Sequence, residues 1–305
     1  MSDAVVEVKN FRKVYGRYVA VKDISFEVRR GEIFGLLGPN GAGKTSTLET
    51  LEGIRRSDGG RLQVLGIDPT REPGKLKDAI GVQLQTSGLP GNMKVGEAMR
   101  FFCAYHHVAP RLDLIDRMGL GEKADTQYQQ LSTGQQRRLA LALAVAHNPR
   151  LLILDEPTAG LDVNSRTELH GMMSELRKSG TAILLATHDM AEAEKMADHV
   201  AILLGGSVVA SGSPREITAK GSGLTKISVR TEGSVLEKKL VKFPAVTQHL
   251  FKDEYSVFYS KDPGESVSAL LKYIDRQKDP LIDLRVERPS LEERFLEITT
   301  HGGRK

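Results

Sequence analysis

The stretch GPNGAGKT, residues 38–45, constrains this chain more than any other. A glycine, four residues and then Gly43-Lys44-Thr45 is a spacing that wraps backbone around phosphate oxygens. Glycines let the chain turn its N–H groups inward, and the positive N-terminal end of a following helix adds to the cradle. On this reading Gly38, Pro39, Asn40, Gly41, Ala42, Gly43 and Ser46 form or flank the loop. Lys44 reaches the β- and γ-phosphates, and Thr45 offers its hydroxyl to Mg²⁺. The flanks agree: GEIFGLLG before the loop is a short apolar run ending in glycine, as a buried strand would, and a helical pattern follows from Lys44 to Glu52.

Two further apolar runs supply the acidic and basic partners. LLILDEPT predicts a buried strand delivering Asp155 to the end of a sheet, the edge at which open α/β sheets bind ligands. Asp155 would hold Mg²⁺ there, and Glu156 beside it would polarise an attacking water. LLATHDM ends the next strand on His188, close to the same edge if the strands are parallel. A helical stretch over about 163–178 separates the two runs, and strand–helix–strand at this spacing predicts a parallel sheet covered by helices. His106 and His107 have no such support and read as surface or packing residues.

LSTGQQ, residues 131–136, opens a third site. Ser132 with Gln135 three residues on is a capping box, starting a helix that stops before Pro149. That leaves Thr133-Gly134 unexplained. A helix start with a Ser hydroxyl and free N–H groups is also an anion site. If the two phosphate-binding ends cannot meet within one subunit, two subunits facing head-to-tail would complete two shared sites.

The chain has 305 residues and is 40% hydrophobic and 27% charged, ordinary globular usage with room for one large domain or two smaller ones. Its net charge of +4 is spread in doublets such as Arg137-Arg138, with no long basic block, so no nucleic-acid face is expected. The single cysteine, Cys103, excludes a disulfide framework within the chain and reads as a small buried residue. No signal peptide is apparent, and no apolar run approaches the ~20 residues that span a bilayer. A cytoplasmic location is expected, with any membrane role passing through a partner. GGSVVASGSPREITAKGSG marks an expected boundary near residue 220, dividing a domain over 1–220 from a small α/β domain over 221–305.

Taken together, GPNGAGKT, LSTGQQ, LLILDEPT, AGLD and the histidine of ATHDM resemble the ATP-binding-cassette ATPases, in the same order and over roughly residues 5–220. The resemblance implies an α/β P-loop NTPase fold with a mixed sheet, an antiparallel β subdomain and a helical subdomain, here extended by the small C-terminal α/β domain. It implies ATP and Mg²⁺, and a dimer in which the phosphate loop of one subunit and the LSTGQQ stretch of the other hold each ATP. Ser132, Gly134 and Gln135 then serve the partner's nucleotide. By the same resemblance Tyr15 stacks on adenine, Gln85 senses Mg²⁺ and the membrane partner (with Gln83 as its fallback), and Asp162 lies at the dimer seam. Glu156 becomes the general base and His188 the switch. One departure stands out: Thr133 occupies a position where Gly is commoner, and a β-branched residue resists positive φ.

The ending VERPSLEERFLEITT resembles the tail of bacterial exporter ATPases for drugs and other hydrophobic or polymeric substrates, which pair with a separate integral membrane permease. The expected activity is thus ATP hydrolysis powering export, with a homodimer of ATPase subunits peripheral to the membrane. TSGLPGNMKVGEAMRFF is the candidate docking surface, with Met93 and Val95 as its exposed apolar contacts. A soluble ATPase of DNA repair or translation is the alternative, although neither a coiled-coil insertion nor a second phosphate loop is present. A regulatory subunit without useful turnover is a third reading, opposed by the intact Asp155-Glu156 pair.

Overall fold

The computed structural model describes residues 3–85, 88–219, 224–238, 241–287 and 290–302. They form two compact units, Met1–Pro214 and Arg215–Lys305. The boundary expected near residue 220 lies outside the described residues.

The first unit begins with two long strands, β1 (Ala4–Tyr15) and β2 (Tyr18–Arg29), paired antiparallel around a two-residue turn. With β4 (Gly59–Val64) they make a three-stranded antiparallel sheet, ordered β2-β1-β4. Alternation puts Val6, Val8, Phe11 and Ile24 on its buried face. That face shares a core with Phe34, Leu36 and Leu48 of the segment around the phosphate loop.

The second sheet has six strands, ordered β5-β6-β7-β3-β8-β9. These are β3 (Ile33–Leu37), β5 (Ile80–Gln83), β6 (Leu151–Asp155), β7 (Ala182–Thr187), β8 (His199–Leu204) and β9 (Ser207–Gly212). All pairs are parallel except β8 with β9, so the sheet is mixed. β3, β6 and β7 are buried along their whole length, which is why they read as unbroken apolar runs rather than alternating ones. Part of the Gly/Ser-rich stretch read as a boundary is β9, an edge strand inside the first unit.

The helices of this unit are α1 (Lys44–Leu51), α2 (Pro73–Leu76), α3 (Val95–Tyr105), α4 (Leu112–Arg117), α5 (Thr133–Ala144), α6 (Val163–Lys178) and α7 (Met190–Met196). The α6 bounds match the expected helix. α3, α4 and α5 form the helical subdomain around Met99, Cys103, Ile115 and Leu139, with Cys103 fully buried as expected.

Helix α8 (Pro214–Ala219) precedes the second unit's strands, β10 (Thr225–Thr231), β11 (Val246–Lys252), β12 (Tyr255–Ser260) and β13 (Leu281–Glu287). They form one antiparallel sheet, ordered β11-β12-β10-β13. The short α9 (Val235–Lys238) and the longer α10 (Pro263–Arg276) complete the βαββαβ chain order of ferredoxin-like domains. α10 packs Leu270 and Ile274 against Ile227, Val229 and Phe258. α11 (Leu291–Gly302) opens on a capping box: Glu293 N–H donates to Ser290 Oγ at 3.1 Å, and Ser290 N–H to Glu293 Oε2 at 3.1 Å.

Candidate active site

Parallel register brings three strand ends level. Leu37 lies opposite Thr187, and Asp155 opposite Ala186, so the loops after β3, β6 and β7 emerge side by side. Tyr15, Lys44, Thr45, Gln85, Asp155 and Glu156 line one cavity of about 180 Å³ at that edge.

The cradle is a backbone structure first. Gly43 has φ 106°, and a Cβ there would lie 2.7 Å from the carbonyl oxygen of Ala20, so only glycine fits. It N-caps α1 without a capping side chain. The first N–H groups of α1, on Lys44, Thr45 and Ser46, therefore have no acceptor within the helix, and they point at whatever anion the loop holds. Pro39, Asn40, Gly41 and Ser46 line the cavity, while Ala42 is buried.

Lys44 is only 6% exposed. Its Nζ donates to the carbonyl oxygens of Gly38 at 2.6 Å and Pro39 at 3.4 Å, and lies 3.6 Å from Glu156 Oε1. Burial lowers its pKa, against the opposing pull of Glu156 and Asp155. Burial, followed by the charge of Glu156, raises the pKa of Asp155. The Thr45 hydroxyl donates to Asp155 Oδ2 at 3.4 Å. A buried, incompletely neutralised carboxylate beside a hydroxyl is a set of hard oxygen donors, and it fits Mg²⁺.

Glu156 is buried and carries φ 48°, a left-handed backbone that few residues other than glycine adopt. Its N–H donates to Ala186 O at 2.9 Å, tying the turn to β7. His188 Nδ1 donates to Glu156 Oε2 at 2.8 Å, with the Thr187 hydroxyl 3.5 Å from the same oxygen. The other carboxylate oxygen, Oε1, is buried and makes no hydrogen bond, with the Lys44 ammonium 3.6 Å away as its ion-pair partner. Such an oxygen, adjoining a phosphate cradle, is placed to accept a proton from water. Strained backbone of this kind concentrates at functional sites.

The LSTGQQ residues lie elsewhere. Ser132 caps α5 as expected: Gln135 N–H donates to Ser132 Oγ at 3.2 Å, and Ser132 N–H to Gln135 Oε1 at 2.9 Å. Neither Ser132, Gly134, Gln135 nor Asp162 lines the cavity of its own chain. Asp162 caps α6, accepting from Ser165 N–H and from Ser165 Oγ, both at 2.9 Å. Gly134 is buried against that same serine: a Cβ there would lie 2.5 Å from Ser165 Oγ. The concern over Thr133 is corrected. It is the first residue of α5 and is not among the residues of positive φ, so this position demands no glycine.

Gln85 faces the cavity, whereas the fallback, Gln83, is 2% exposed and lines a different groove. Sequence reading missed Tyr18. It pairs with Tyr15 across the hairpin, lines the cavity, and donates from its hydroxyl to Gly41 O at 3.4 Å. The signal was present, since strand patterns on both sides of Gly16-Arg17 make a two-residue hairpin that sets the two tyrosines opposite each other. Also missed was a buried trio. Thr158 donates to Glu192 Oε1 at 2.8 Å, and His170 Nε2 lies 3.1 Å from the same oxygen. It links the segment after Glu156 to α6 and to α7, the helix that follows His188.

A family model described as ABC transporter matches residues 21–159. The chain is 34% identical to the Nod factor export ATP-binding protein I of Cupriavidus metallidurans, over 97% of both chains. It is 31% identical to the linearmycin resistance ATP-binding protein LnrL of Bacillus subtilis, over 97% of this chain and 98% of that one. Among solved structures it resembles cbiO1 of Clostridium perfringens, part of the ABC transporter complex cbiONQ. That match has a TM-score of 0.65 and 31% identity, and covers 72% of this chain and 92% of that one. With the phosphate cradle, the carboxylate pair and the histidine already in place, these likenesses settle the family: the chain is an ATP-hydrolysing, ATP-binding subunit of the ABC transporters.

Proposed function

We propose that this subunit powers export through a separate membrane permease, and that two copies of it close on two ATP molecules. The observation that carries export is the length of the likeness. Relatives named for Nod factor export and linearmycin resistance align over 97% of this chain, the second unit included. In this reading the N–H groups of α1 and Lys44 bind the phosphates, Thr45 and Asp155 hold Mg²⁺ with Gln85 beside them, and Tyr15 faces the adenine. Bound Mg²⁺ would neutralise charge developing on the phosphates. Glu156 takes the proton of the attacking water, and His188 holds the carboxylate in place. Ser132, Gly134 and Gln135 serve the partner's nucleotide, which accords with their absence from the chain's own cavity.

No helix among the described residues is long and apolar enough to cross a membrane, and we assign that role to the permease, with this chain on its cytoplasmic side. Its seat is a groove of about 570 Å³ between β5 and the helical subdomain. Ile54, Leu84, Phe101 and Tyr105, all exposed apolar side chains, converge there. Met93 also lines it, half-buried. Val95 does not: it is fully buried in the helical subdomain core, so the exposure expected of it is corrected. Of the expected docking segment, Thr86 and Ser87 lie outside the described residues.

Native co-purification tests the proposal. The tagged chain, expressed in its source cell and released gently from membranes, should bring down a multi-spanning protein. Recovery with ribosomes, DNA or soluble factors alone would overturn the transport role and leave the ATPase standing.

A further inference from the structure

The permease groove is apolar at its rim but carries polar groups without partners at its base. Gln83 is 2% exposed, yet neither its Oε1 nor its Nε2 makes a hydrogen bond. Glu52, the C-cap of α1, has its Oε2 buried and unbonded. His147 directs Nε2 at the Ile80 carbonyl oxygen at 3.1 Å, which makes Nε2 the protonated nitrogen and leaves the buried Nδ1 with a free lone pair. His106 stacks on His147 at 3.9 Å between ring centroids, and burial lowers the pKa of both, favouring the neutral rings. All four side chains line the one groove.

Native structures satisfy nearly all buried polar atoms, and here Glu52, Gln83 and His147 turn unsatisfied atoms toward one groove, where an entering donor would meet them. The available atoms are chiefly acceptors: a carboxylate oxygen, an amide oxygen and an imidazole lone pair. Burial, then Asp155 and Glu49, push the Glu52 carboxyl up to about 7, as expected of a carboxylate lacking a counter-charge. The lysine of the groove lining, Lys77, does not supply one, since its Nζ sits over the Tyr105 ring, 5.0 Å from the centroid.

We propose that the groove recognises a cationic side chain, an arginine or lysine carried on an apolar cytoplasmic segment of the permease, which inserts between the exposed rings to reach Glu52 and Gln83. This rests on the reading of the groove as the permease seat. The occupant is set by charge complementarity: an apolar rim over a base of acceptors takes an apolar segment with one buried donor cation.

The test compares the full-length tagged chain with Glu52→Gln, Glu52→Lys and Phe101→Asp, each expressed in the source cell and purified from its membranes, with permease recovery as the readout. Removing one partner of a buried charge pair should cut recovery about thirtyfold or more for Glu52→Gln. Glu52→Lys should abolish it, and exchanging one Arg or Lys in the recovered permease's cytoplasmic loops for Glu should restore it. Circular dichroism and ATP affinity of the free variants, both expected unchanged, exclude misfolding. If Phe101→Asp loses the permease while both Glu52 variants keep it, the seat stands and the cation is refuted. If all variants keep it, the seat itself is refuted.

Discussion

Replacing Glu52 with glutamine should make the free chain more stable, by an amount that depends on pH. The carboxyl is raised from 4.5 to about 7, mainly by burial and then by Asp155 and Glu49. Between those two values the folded chain holds a proton that the unfolded chain releases. Glu52 therefore costs nothing below 4.5, costs progressively more as pH rises toward about 7, and carries its full penalty above that. At about 1.4 kcal/mol for each tenfold change in proton affinity, the full penalty is about 3 kcal/mol, and solvent reaching the half-buried side chain reduces it to about 2. Glutamine keeps the shape and removes the charge. The assay is urea unfolding of the full chain at about pH 5 and about pH 8, following the transition that shifts when ATP and Mg²⁺ are added, which identifies the first unit. His106 and His147 have depressed pKa values, so they lower stability as pH falls below 6.5. They do so in both proteins and cancel in the difference. The variant's advantage should be larger at about pH 8 by about 2 kcal/mol. An equal advantage at both pH values, or a variant less stable than its parent at the higher one, would refute the reasoning.

Four other substitutions probe the site. Glu156→Gln should cut steady-state phosphate release by about 10²–10⁴-fold while retaining ATP, and near-normal turnover would remove its role as base. Lys44→Ala should weaken nucleotide binding in a direct titration, and unchanged affinity would count against the phosphate cradle. Gly134→Ala puts a methyl 2.5 Å from Ser165 Oγ, at a packing cost of about 1–3 kcal/mol. It should lower hydrolysis while leaving ATP affinity at the chain's own loop intact, and a rate equal to the parent's would refute a role for the close packing of Gly134 on Ser165. Thr133→Gly should leave the hydrolysis rate unchanged, because the position is helical; a gain in rate would mean that the threonine is a handicap after all.

Much of this was legible in the sequence because the decisive chemistry sits at the ends of buried strands. β3, β6 and β7 are unbroken apolar runs, and the residues that follow them are the loop, the carboxylates and the histidine. The cap at Ser132 and the bounds of α6 followed from local rules. What stayed hidden depended on tertiary context. β5 is four residues long and β9 is a glycine- and serine-bearing edge strand, so neither has the period or length that announces a strand. Val95 sits among polar neighbours but turns inward because α3 closes the helical core there. Gln83 ends β5 and Gln85 sits in the bend just past it, and only the fold shows that one meets the groove and the other the nucleotide cavity. The orphaned polar atoms around Glu52 leave no trace in a sequence, because satisfaction of hydrogen bonds is a property of space.

Ser165 is a shared bearing. It donates to both oxygens of Asp162 and fills the space beside Gly134, so the start of α5 and the start of α6 meet at one side chain. Asp162 follows Glu156 by six residues in the chain. In the paired arrangement proposed, a push delivered by the partner's phosphate against the start of α5 would meet Ser165 and, through Asp162, the short turn that leads back to Glu156.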